Sequence, residues 1–195
     1  MSLDTTNTFF TVLTFIANVA FVVLVLVGMA ALTGAGGRRL AGRVVSAIGR
    51  TVPTIAGQGF DGSAVRFVSH GKPRVVLFLA HWCPHCQAEV PRMVKLAKQG
   101  KLAGVEIDTV VTNTDKSFPN YPPSKWLKRE HWPFAPVLAD DSKSRALAAF
   151  GGDGFPFFVV IGANGKVVAR ASGEIAPSDI ARVFKDLVAG KSVFH

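Results

Sequence analysis

Hydrophobic and polar positions alternate along this chain in three distinct ways. The first pattern is unbroken. FFTVLTFIANVAFVVLVLVGMAAL, residues 9–32, contains no charged side chain. As a helix it would run about 36 Å at about 1.5 Å per residue, against a hydrocarbon core about 30 Å thick. It is long enough to span a bilayer with some tilt. A cleaved signal peptide would want a basic leading stretch and a shorter apolar core, and MSLDTTNT offers an aspartate and no lysine or arginine. The expectation is an uncleaved membrane anchor over residues 1–35. Asn18 is its one amide, available to bond a partner helix.

The second pattern is the short apolar run. RVVLFLA (74–80) and GVEIDTVVT (104–112) read as strands buried on both faces. AVRFV (64–68) and APVLAD (135–140) are shorter extended candidates. FFVVIG (157–162) and KVVARA (166–171) flank Ala163-Asn164-Gly165, a hairpin turn signal. The third pattern has helical period. A helix should begin at the cysteines and run to Gly100, kinked at Pro91. Residues 122–131 open on proline, a favoured first position, and 141–150 form a further candidate. The last helix starts near Pro177, with Ile180, Val183, Phe184, Leu187 and Val188 on one apolar face. Together these elements predict an α/β domain over residues 51–195: one mixed sheet with helices on both faces.

Between anchor and domain lies a basic linker, residues 36–50, holding Arg38, Arg39, Arg43 and Arg50. Leu40, Val44 and Ile48 recur every fourth residue, so an interfacial helix is expected there. Positive flanks favour the cytoplasmic side, which would place the domain inside. The formal charge of +9 raises nucleic acid as a partner. The lysines and arginines are scattered, with no dense run interleaved with aromatics, so no nucleic-acid partner is expected. No internal repeat is present.

The chemistry is concentrated in HWCPHC (81–86), which holds both cysteines of the chain. As a structural disulfide they would close a very small loop, a weak staple in the chain-entropy model. As a zinc site they lack the further ligands that about four-coordinate zinc needs. The third reading is redox. Cys83 stands at the expected N-terminus of a helix, where free N–H groups and the dipole favour a thiolate. A CxxC between a buried strand and a helix is the signature of a thioredoxin-like motif.

VVLFLAHWCPHCQAEVP resembles the active-site segment of the membrane-anchored, thioredoxin-fold thiol-disulfide oxidoreductases of the TlpA/ResA-like group. Trp82, the cysteine pair, Glu89 and Pro91 match. GGDGFPFFVVIGANGKVVAR resembles that family's cis-proline strand and hairpin. The resemblance covers about residues 51–190. It implies a thioredoxin-like mixed sheet preceded by one transmembrane helix. It implies Cys83 as the exposed nucleophile, Cys86 as the buried resolving thiol, Pro156 as the cis-proline facing the pair, and Trp82 packed beside the site. Phe155 and Phe157 would make the proline's surroundings apolar, with Phe157 equally readable as core.

Two departures stand out. Leu77 occupies the position where thioredoxins carry a buried acid, so proton handling for Cys86 must come from elsewhere. Glu89 is a candidate, with an exposed helix residue as its plain alternative. Pro84-His85 is the dipeptide of DsbA-type enzymes, and a histidine near the thiolate favours the reduced form and hence a stronger oxidant. His81 reads as a solvated neighbour, with an added contribution to the field at the thiolate as its alternative. The resemblance implies protein thiols or disulfides as substrates, a membrane redox partner, contact with the lipid bilayer through residues 9–32, and no cofactor or metal. The family works outside the cytoplasm, where disulfides persist, and relatives in methylamine dehydrogenase maturation also carry arginines after the span. A single-pass protein with an extracytoplasmic domain is therefore expected, against the charge rule. The expected activity is oxidation of protein thiols. The alternatives are a reductase for cytochrome c or other cofactor-protein maturation, and a metal-delivery protein using the same cysteines.

Overall fold

The computed structural model describes residues 48–193 except 53 and 69. The anchor expected over 9–32 and linker residues 36–47 lie outside the described residues. Among those described, no helix is long and apolar enough to cross a membrane.

Seven strands form one mixed sheet: β1 (Ile55–Gln58), β2 (Ala64–Phe67), β3 (Arg74–Leu79), β4 (Glu106–Val111), β5 (Val137–Ala139), β6 (Phe157–Ile161) and β7 (Val167–Ser172), in spatial order β2-β1-β5-β4-β3-β6-β7. β3, β4 and β5 run parallel to one another. β6 lies antiparallel to β3 and β7 antiparallel to β6, while β1 is antiparallel to both of its neighbours. The described helices are α1 (Pro84–Lys98), α2 (Pro123–Arg129), α3 (Arg145–Ala149) and α4 (Pro177–Val188).

β3 shows why a doubly covered strand reads as a continuous apolar run. Successive side chains point to opposite faces. Val75, Leu77 and Leu79 join a core with Val90 and Met93 of α1, Trp126 of α2 and Phe184 of α4. Val76 and Phe78 join a second core with Val110, Phe157, Val159 and Leu147 of α3. The hairpin between β6 and β7 turns at Gly165, whose φ of 73° suits glycine.

Several elements differ from expectation. β1 has only Ile55 buried, so it carries no period-two signal. It forms because its backbone pairs with β2 from Ile55–Phe67 to Gln58–Ala64. The helix expected over 141–150 shrinks to Arg145–Ala149. Asp141 Oδ1 accepts the N–H groups of Lys143 and Arg145, and the Asp140 carboxylate accepts those of Ala146 and Leu147. Such local side-chain bonds compete with the helix. Val188, expected on the apolar face of α4, is exposed. It is the helix's last residue, and it rests on Gly104, which has no side chain to cover it. Of the expected interfacial helix Ile48, Gly49 and Arg50 are described, and Ile48 and Gly49 lie in a turn. The last two pair with the sheet: Gly49 N–H donates to Val167 O at 2.8 Å, and Val167 N–H to Arg50 O at 2.9 Å.

Candidate active site

β3 ends at Leu79, and a tight turn delivers Cys83 to the head of α1, with Cys83 N–H donating to Ala80 O at 3.1 Å. Cys83 caps the helix with an extended backbone, φ −75° and ψ 122°, and Pro84 opens it. Proline costs nothing at that position, because the first helical N–H groups have no intrahelical acceptor anyway. The free N–H groups that remain favour negative charge at Cys83.

Cys86 lies one turn on and is 0% exposed. Its Sγ accepts the Ala80 N–H at 3.4 Å. Burial pushes its thiol far above the ordinary cysteine range; the charges of Cys83 and Glu89 add to this, and the Ala80 bond opposes it. Cys83 is 7% exposed, less open than an exposed nucleophile was expected to be, because Trp82 and Phe155 pack against the same core. It still presents some surface where Cys86 presents none. Both cysteines are free thiols here.

The Phe155-Pro156 peptide is cis. The Phe155 carbonyl oxygen lies 3.8 Å from Cys83 Sγ, so the chain before the proline faces the first thiol. Trp82 meets Phe155 nearly edge-on, with centroids 6.1 Å apart. Its indole N–H donates to Asn113 O at 2.8 Å. Phe157 does not join this group. It is buried against Phe78 in the second core, with Arg170 over its ring.

Glu89 is fully buried, which overturns the exposed alternative. Burial raises its carboxyl above the usual carboxylate range, with the Ile175 N–H bond and Arg92 pulling the other way. Oε2 lies 3.4 Å from Arg92 Nη1. Oε1 has no hydrogen-bond partner among the described residues. His85 projects outward, with Nδ1 2.8 Å from Glu174 Oε1. Glu174 also takes Arg92. These hydrogen bonds, from His85 first and then Arg92, hold the Glu174 carboxyl below its usual range.

His81 is not a solvated neighbour; it is completely buried. Nδ1 lies 2.7 Å from Pro119 O, and Nε2 lies 3.2 Å from the Asp115 backbone nitrogen. A carbonyl only accepts and an amide N–H only donates, so these partners assign the hydrogen to Nδ1. A ring whose Nε2 accepts adds no positive field beside Cys83. The His81 carbonyl accepts Gln87 Nε2 at 3.0 Å and Asn120 Nδ2 at 3.3 Å. The sequence reading missed Asn113, Asp115, Phe118 and Glu174. Asparagines and prolines in NTDKSFPNYPP (113–123) mark a shaped loop, but nothing in the string says that it closes on His81.

The family model described as Redoxin matches residues 47–187. Mouse nucleoredoxin is 26% identical over 114 residues, covering 58% of this chain and 25% of its own length. The chain thus spans about a quarter of that curated relative. A solved thiol:disulfide interchange protein of the thioredoxin family from Chlorobium tepidum TLS is 27% identical, with a TM-score of 0.59 over 73% of this chain and 99% of that one. An uncharacterized conserved protein from Geobacillus kaustophilus has the same fold, with a TM-score of 0.64 at 22% identity over 76% of this chain and 86% of that one.

Proposed function

The chain belongs to the Redoxin family, and on that premise we propose that it is a membrane-tethered thiol-disulfide oxidoreductase that oxidises protein thiols outside the cytoplasm. One observation carries the exchange chemistry. The two cysteines sit one helical turn apart at the head of α1, the outer one 3.8 Å from the carbonyl before Pro156 and the inner one sealed from solvent.

In the oxidising direction a substrate thiolate attacks Cys83 Sγ of a Cys83–Cys86 disulfide. The S–S bond breaks, and Cys86 leaves with the electron pair. A second substrate thiolate then attacks the substrate sulfur of the mixed disulfide and expels Cys83. Two electrons and two protons pass from the substrate dithiol to the enzyme. A membrane redox partner then takes those electrons and restores the disulfide. A buried thiolate at Cys86 is costly, so a proton must reach it as it leaves. Glu89, buried and with Oε1 unpartnered, is the group suited to carry that proton and to take it back in reverse.

His85 supports the oxidising direction, since whatever stabilises the Cys83 thiolate raises the potential. The acid beside it supports a second reading. Glu174 bonds His85 Nδ1 and sets a carboxylate beside the ring, which weakens the thiolate-stabilising field, as a reductase of cofactor-protein maturation would require. Metal delivery through the same cysteines is the third reading, and metal stoichiometry on the full chain tests it. Equilibration of the full chain with glutathione separates the two redox readings. A potential near about −120 mV fits an oxidant, and one near about −270 mV a reductase.

The tether rests on residues 9–32, and the outward placement rests on the resemblance to the TlpA/ResA-like group, which works where disulfides persist. A cysteine added between Arg38 and Arg50 should react with an impermeant maleimide in intact cells. Labelling only after lysis would put the domain inside.

A further inference from the structure

The segment from Asn113 to Tyr121 joins β4 to α2 and exposes two large apolar side chains, Phe118 at 50% and Tyr121 at 51%. This loop is held at many points. Buried His81 bonds Pro119 O with one ring nitrogen and the Asp115 N–H with the other. Trp82 and Ser144 donate to the carbonyl and the side-chain oxygen of Asn113, at 2.8 and 2.6 Å. Arg129 donates to Asn120 Oδ1 at 2.6 Å. Asn113 and Asn120 take φ of 49° and 64°, a region that asparagine tolerates better than most residues.

Phe118 is thereby set against Trp82, with centroids 5.8 Å apart. Trp82 meets Phe155 at 6.1 Å, and the Phe155 carbonyl lies 3.8 Å from Cys83 Sγ. A row of three aromatic rings therefore starts beside the nucleophile and runs outward along a loop whose conformation is already fixed.

We propose that Phe118, set by its clasped loop against Trp82, is a specificity-determining residue that receives an aromatic or large aliphatic side chain near the reactive cysteine of an extended substrate segment. The assignment rests on the thiol-exchange reading above. Its occupant follows from the covalent chemistry. The mixed disulfide ties the substrate's cysteine to Cys83 Sγ. At about 3.3–3.6 Å per residue, neighbours up to three positions away reach no further than about 10 Å. They must lie over the surface that begins at Phe155 and Trp82. A charged side chain laid on these rings would lose hydration, whereas an apolar one gains burial. Because the loop is pre-formed, little of that gain is spent on ordering it. His81 is a positioning residue: it clasps the loop on both sides of Phe118.

The test uses the full-length protein in detergent and two cysteine peptides that differ only two positions after the cysteine, one with phenylalanine and one with serine. The wild type should favour the phenylalanine peptide by about 10-fold in kcat/KM, which is about 1.4 kcal/mol. Phe118→Ser should bring the ratio within about twofold of unity, and Phe118→Tyr should keep it. Phe118 is exposed, so the fold is not at stake. A ratio near unity in the wild type, or one unchanged in Phe118→Ser, overturns the proposal. Loss of anionic-vesicle binding in Phe118→Ser with an unchanged ratio also overturns it, in favour of a bilayer contact. Failure of the wild type to exchange with either peptide and with dithiothreitol would instead overturn thiol exchange itself.

Discussion

Two carboxylates are buried among the described residues, Asp108 on β4 and Glu89 on α1, and they are kept in opposite ways. Burial raises both above the ordinary range, Asp108 to about 6. Asp108 is paired with a buried cation. Arg74 Nη2 donates to Oδ1 at 2.9 Å and lies 2.7 Å from Oδ2, an ion-pair contact without hydrogen-bond geometry, and Arg74 also donates to Val68 O. The pair ties β3 to β4 and to the residue after β2. Glu89 is left open, with one oxygen 3.4 Å from a half-exposed arginine and the other unpartnered. An unsatisfied buried oxygen is costly. Here it lies on the same helix as a buried thiol that must gain and lose a proton. Asp108 ties neighbouring strands together; Glu89 is the carboxyl group that the proposed exchange would use.

The largest expected effect breaks the closed pair. Asp108→Ala leaves Arg74 buried without its main partner and should lower stability by about 3–5 kcal/mol. Urea melts would measure this, and exchange activity per folded molecule should persist. A loss below about 1 kcal/mol would show that the pair does not hold the strands.

The second effect is a pH slope. The Asp108 pKa is about 6 in the fold against about 3.9 unfolded. The folded state therefore binds this proton more tightly. Its contribution favours folding at low pH and is lost as pH rises from about 4 to about 6, by on the order of 2–3 kcal/mol. Wild type minus Asp108→Asn, melted across that window, isolates the slope. An opposite sign would mean that Arg74 outweighs burial.

The third prediction concerns the open carboxylate. Glu89→Gln should slow the reverse step, in which Cys86 attacks a mixed disulfide on Cys83 while Glu89 takes its proton, by on the order of 100-fold without loss of thermal stability, since it removes a buried ionisable group. The wild-type rate should rise with pH through a value above the ordinary carboxylate range, and that limb should vanish in the variant. A large drop in melting temperature with unchanged kinetics would make Glu89 another Asp108. The smallest effect sits at the exposed end of the same network. His85→Thr should lower the reduction potential by about 30 mV, or about 1.4 kcal/mol, because the Glu174 carboxylate beside the ring already weakens the thiolate-stabilising field.

The same contrast explains what the sequence makes legible. The β3 run, the start of α1 at Pro84, the β6–β7 hairpin and the apolar face of α4 are local patterns, and local patterns survive into the fold. The paired cysteines and Pro156 are visible as motifs. The burial of Glu89 is not, because groups far along the chain meet it, the Ile175 backbone among them. His81 likewise looks solvent-facing until Asp115 and Pro119 close over it. β1 escaped notice because backbone pairing, not hydrophobic period, shapes it, and the expected helix over 141–150 is shortened to α3 where two aspartates take its leading N–H groups.

The division of labour between the two thiols is tested most directly by trapping. Full-length Cys83→Ser and Cys86→Ser variants are mixed with a cysteine peptide activated as a disulfide, quenched with acid and mapped by mass spectrometry. Cys86→Ser should accumulate a stoichiometric mixed disulfide on Cys83, because no thiol remains to release it. Cys83→Ser should accumulate almost none, because Cys86 is sealed and its thiol resists ionisation. Equal trapping in the two variants, or an adduct on Cys86 alone, would contradict the assignment of Cys83 as the outer and Cys86 as the resolving thiol.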